Sequence, residues 1–176
     1  MSQLKVDSIV PAGGLPAGAS GGGIIQVVTR ELTTYFTTTS TSYVDWTDMN
    51  VTITPRSSSN KIFIMTTFCC GNSATNSFQY ARLLRNTTVI AQGDSAGTAQ
   101  RCWIDCAQGA GNTHETIQYS KAGIYLDSPA TTSAITYKIQ VIRTVNGTSY
   151  WGRTSSIADE NRSSTPSILT VMEVSG

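Results

Sequence analysis

His114 is the only histidine in 176 residues. One imidazole excludes multi-histidine zinc sites and most Ser-His-Asp or Cys-His arrangements. It stands in the polar turn 109–116 and reads as an exposed loop residue. Four cysteines raise the question of a Cys₄ zinc site. Cys69 and Cys70 are adjacent, and successive side chains on a strand face opposite sides, so both thiolates cannot easily reach one metal. Cys102 and Cys106 share a face, but all four read best as small buried apolar residues; a disulfide formed after release from a cell stays open. The carboxylates Asp45, Asp48, Asp94, Asp105, Asp127, Asp159 and Glu160 are scattered, and Asp127 before Ser128-Pro129 reads as a turn-former. Residues 159–161 do not match an EF-hand spacing, and Gly21-Gly22-Gly23 lacks the Lys-Ser/Thr of a phosphate loop. The expectation is a non-enzyme with no catalytic residue, metal or cofactor. Trp46, Trp103, Trp151 and seven tyrosines could stack on sugar rings. Tyr150 and Trp151 are the best candidates, because adjacent residues on a strand cannot both face a core.

The elements that must position these groups read as β throughout. Thr, Ile and Val supply 52 residues, and β-branched side chains suit a pleated surface better than a helix. Met49, Val51 and Ile53 alternate with polar residues, and Pro55 ends that strand. Ile62, Ile64, Thr66 and Phe68 alternate with Phe63 and Met65, so both faces are apolar; such a strand is central, or one face is an interface. Tyr137, Ile139 and Val141 alternate as well. Asn146-Gly147 follows as a hairpin signal, with residues 149–153 expected to return. The last strand is expected over 168–174. Short strands, polar turns and no helical periodicity predict an all-β antiparallel sandwich, most simply a jelly roll. Residues 1–10 read as an extended arm, 11–23 as a Gly/Ala/Pro linker and 24–176 as the β-sandwich head.

Composition narrows the partners. Lys+Arg number 12 and Asp+Glu 11, and charged residues are 13% of the chain. Without a basic stripe, nucleic acid and anionic membranes are excluded as partners. The uncharged run 8–29 holds two prolines and six glycines, so it does not span a bilayer. Lys5 and Asp7 flank no apolar signal-peptide core, which points to synthesis in a cytoplasm. Ser and Thr make up 47 residues, which places hydroxyls rather than charges on the surface.

Several stretches are familiar: LKVDSIVPAGGLPAGASGGGIIQVV, TTSTSYVDWTDMNVTITPRSSSNKIFI, YARLLRNTTVIAQGD, YLDSPATTSAITYKIQV and SSILTVMEVSG. Together these resemble small virion structural or tail-fibre-like proteins of tailed phages, especially those of marine cyanobacteria. The resemblance implies a component of the virion surface, made and assembled in the host cytoplasm. Its implied role is a short tail fibre or receptor-binding appendage, or alternatively a capsid decoration (cement or head-fibre) protein. The arm would dock on phage tail or capsid proteins through Leu4, Val6, Ile9 and Val10 by strand addition. The head would be a homotrimer, with Ile62, Ile64 and Phe68 at the subunit interface. Loops 71–77, 108–114 and 146–152 would meet host surface polysaccharide through Asn72, Asn76, Asn112, His114, Tyr150 and Trp151.

Overall fold

The computed structural model describes residues 23–74, 78–106, 119–144, 147–156, 158, 160 and 163–176. The arm 1–10 and nearly all of the linker lie outside these residues. The alternating stretches become strands, and no helix occurs among the described residues. In chain order they are β1 (Ile24–Leu32), β2 (Phe36–Thr38), β3 (Val44–Ile53), β4 (Lys61–Asn72), β5 (Gln79–Arg85), β6 (Thr88–Ile90), β7 (Ile104–Asp105), β8 (Tyr119–Asp127), β9 (Ile135–Arg143), β10 (Ser149–Trp151) and β11 (Ser167–Val174).

All pairings are antiparallel. The first sheet runs β1-β11-β4-β8, with β2 and β10 prolonging the lines of β1 and β11 beyond an excursion at 152–166. The second runs β3-β9-β5, and β6 and β7 share the far side of β5. Taking β6 and β7 as one edge, the strand order is first, eighth, third, sixth in one sheet and second, seventh, fourth, fifth in the other. That order is a jelly roll, as the strand pattern predicts.

Local chemistry explains the landmarks. Asn86 takes φ 54° in the two-residue turn between β5 and β6, where Asn tolerates the left-handed region. Asp48, at φ 63°, marks a bulge in β3 that lets Trp46 and Met49 both turn inward although they are three apart.

Two expectations fail here. The hairpin around Asn146-Gly147 does not form: β9 lies in the second sheet between β3 and β5, whereas β10 lies in the first sheet between β2 and β4. The connection crosses the sandwich because Ile139 and Val141 complete one inner face and Trp151 the other. Nor do Ile62, Ile64 and Phe68 form a subunit interface. All three point between the sheets and are buried in the core. The core centres on a cluster of Trp46, Phe68 and Trp151, with ring centroids 5.4–5.5 Å apart.

Candidate functional site

The outward residues of the first sheet build an apolar surface. Strand register places Val27, Met172, Phe63 and Leu126 in one row across β1, β11, β4 and β8. The next row is Thr29, Thr170, Met65 and Ile124, and the one after it Glu31, Ile168, Thr67 and Ala122. Val27 is 53% exposed, Ile124 60% and Leu126 48%. A depression of about 190 Å³ opens between β11 and β4, lined by Met65, Thr67, Ile168, Thr170 and Met172 among others. A second, of about 330 Å³, lies lower on the same sheet, between β4, β8 and Thr165-Pro166. Contiguous exposed apolar surface on a folded domain marks an interaction site.

The outward side of the second sheet is a polar network. Asp45 accepts hydrogen bonds from Lys138 Nζ (2.8 Å) and Gln140 Nε2 (2.6 Å). Gln140 Oε1 accepts from Arg82 (2.6 and 2.9 Å), whose guanidinium lies 3.9 Å over the Tyr43 ring. The bond from Lys138, then that from Gln140, holds the Asp45 carboxyl below its ordinary range.

At one end of the sandwich an inner row of the first sheet turns polar: Gln26, Glu173, Ile62, Asp127. Asp127 accepts from Arg85 (2.9 Å) and from the Tyr137 hydroxyl (2.7 Å), which ties β8 to β5 and β9 of the other sheet. Burial and then the bond to Asp127 push the Tyr137 phenol well up. Glu173 is fully buried and accepts from Asn60 Nδ2 (2.6 Å), the Arg56 amide (2.7 Å) and Gln26. Burial pushes its pKa up, but the bonds from Asn60, Gln26 and the backbone together outweigh it and leave the group below its ordinary value. These carboxylates are engaged in holding the fold. No group of three or more His, Cys, Asp or Glu able to hold a metal occurs among the described residues.

The opposite end carries the described parts of two expected contact loops, 71–74 and 147–152, while 108–114 lies outside the described residues. The two are joined: the Ser73 amide donates to Thr148 O (3.1 Å), and the Thr148 amide to Ser73 Oγ (2.9 Å). Gly147, at φ 97°, sits so close that a Cβ would lie 2.6 Å from that of Ala74. Beside them the Arg153 guanidinium lies between two rings, 4.2 Å from Tyr35 and 4.4 Å from Tyr150.

Of the sequence candidates, Tyr150 is half-buried in this stack. Trp151 is corrected: it is completely buried, its indole N–H donating to Ser149 Oγ (3.2 Å), so it is not offered to a ligand. Asn72 is corrected too, being buried at the end of β4 with Oδ1 accepting from the Ala74 amide. Asn76, Asn112 and His114 lie outside the described residues, as do Leu4, Val6, Ile9 and Val10. Sequence reading missed the outward set Val27, Phe63, Met65, Ile124, Leu126 and Met172. Its signal was present in the two-sided apolar pattern of β4, where Phe63 and Met65, not Ile62 and Ile64, are the surplus side.

No protein-family model matches the chain, and no curated protein matches it in sequence. Among solved structures it is similar to infectious bursal disease virus of the Gx strain (TM-score 0.44, 13% identity). It is similar also to T=1 particles derived from that virus (0.45, 9%) and to its VP2 subviral particle (0.44, 14%). Each alignment takes in 94% of this chain and 44% of the other, so the chain spans less than half the length of those proteins.

Proposed function

We propose that the chain is a non-enzymatic structural protein of a virion: a short tail-fibre or receptor-binding appendage of a tailed phage, with a head that associates with copies of itself. The observation that carries this reading is the use of the sandwich's acids. Asp127 and Glu173 hold the sheets and turns together from inside, and Asp45 is bound by Lys138 and Gln140. Hydrolysis of a glycan needs two carboxylates left free across a cleft. What the body offers instead is surface: an apolar sheet face and a hydroxyl-rich loop end. The resemblance of the sequence to phage virion proteins supports the same reading. In it, residues 1–10 dock on the particle, and the end bearing Tyr35, Tyr150 and Thr148 meets host polysaccharide.

The test is the position of the chain in particles. Gold-labelled antibody on purified virions is expected at the tail, and deletion of residues 1–10 is expected to remove the label while leaving the head folded. Label at regular positions over the capsid would replace the fibre reading by decoration. No label on virions would overturn the virion role.

A further inference from the structure

We infer that the outer face of the first sheet is where this chain packs against a second copy of itself, a deepening that rests on the reading of the chain as a self-associating structural protein. The row Val27–Met172–Phe63–Leu126 crosses all four strands without a polar side chain, and Met65 and Ile124 extend it. Chemistry selects the occupant. A charged partner finds almost nothing to hold: on the three rows above and the fourth outward row, Ile24–Val174–Lys61, the ionisable groups are Glu31 on β1 and Lys61 on β4. They stand toward opposite ends of the face, so two copies can meet without setting like charge against like. The face is thus complementary to itself, which an isologous contact requires.

Area sets the strength. Four strands about 4.8 Å apart and four outward rows about 6.8 Å apart give a face of roughly 500 Å². A stable specific interface takes about 800 Å² from each partner, so association through this face is reversible and concentration-dependent. Because the contact is apolar, added sulfate strengthens it and moderate salt does not weaken it.

Sedimentation velocity on the full chain, in a series from micromolar to about 1 mM, tests this with three proteins. These are the wild type, the double variant Val27→Lys/Ile124→Lys, and Thr52→Lys on the outer face of the second sheet. The wild type and Thr52→Lys are expected to move from the 18.8 kDa chain mass to twice that mass or more. The double variant is expected to stay at one chain with an unchanged thermal midpoint. Should the double variant melt early, the single variant Val27→Lys, at a half-exposed position, takes its place. A wild type that stays at one chain throughout, or a first-sheet variant (the double variant or Val27→Lys) that associates like the wild type, overturns the inference. Neither result bears on where the chain sits in a virion. Absence from virions with association intact would sink the functional reading alone.

Discussion

On the second sheet, Asp45 bridges Lys138 and Gln140, and Gln140 accepts from an Arg82 that is laid over Tyr43. At the equivalent outward positions of the first sheet stand Val27, Met172, Phe63 and Leu126. Both sheets contribute apolar inner residues to one core, so folding alone does not account for the difference outside. A sheet that faces water on one side normally alternates apolar with polar residues. The second sheet obeys that rule and the first does not. The departure runs across all four strands, from Val27 on β1 to Leu126 on β8.

The sharpest way to break the contrast is to exchange the two sides of β4. Ile64→Ala removes a core side chain and is expected to cost about 2–5 kcal/mol, whereas Met65→Ala, one residue on, is expected to cost under about 1 kcal/mol in dilute solution. Urea unfolding of the two variants checks this, and equal losses would mean that both sides of the strand are core. Next in size, Asp127→Ala leaves Arg85 and the buried Tyr137 hydroxyl without their acceptor. An expected loss of about 2–3 kcal/mol, read by the same unfolding curves, reflects the link between the two sheets.

Acid should loosen the end where Glu173 sits. Its folded pKa lies below the ordinary 4.5, so its contribution is full above that value and is lost as pH falls through the folded one. Asp45 shifts in the same direction from 3.8. The thermal midpoint is therefore expected to hold steady from about pH 8 to 6 and to fall below about pH 4.5. Glu173→Gln should flatten that fall, and a slope identical to the wild type's would assign the acid response to other groups. The smallest effect belongs to the second sheet's surface. Asp45→Asn is expected to change stability by under about 0.5 kcal/mol, because exposed ion pairs contribute little. Sedimentation should show its association unaltered, and a change there would erase the contrast between the faces.

Much of this architecture was legible in the residues. The alternation of Met49, Val51 and Ile53 defines β3, and the last strand forms over Ser167–Val174, where the sequence predicts 168–174. What escaped is long-range. Alternation gives a strand's two sides but not which one meets the opposing sheet, and for 62–68 both sides are apolar, so local pattern could not separate Ile64 from Met65. Asn146-Gly147 signals a change of direction equally well within a sheet or between sheets. Only the full set of pairings, with β11 arriving last to lie between β1 and β4, decides it. Trp151 was misplaced for a related reason: adjacency to Tyr150 shows that one of the two faces outward, and the aromatic partners Trp46 and Phe68, far away in sequence, determine which.

The claim that the first sheet's outer face is covered by a copy of the same chain is tested most directly by methionine oxidation with dilute peroxide across a concentration series. Met65 and Met172 lie on that face, while Met49 lies in the core as an internal reference. The account predicts that Met65 and Met172 oxidise more slowly as concentration rises, with Met49 protected throughout. Oxidation of Met65 and Met172 at one rate from the most dilute to the most concentrated sample would contradict it.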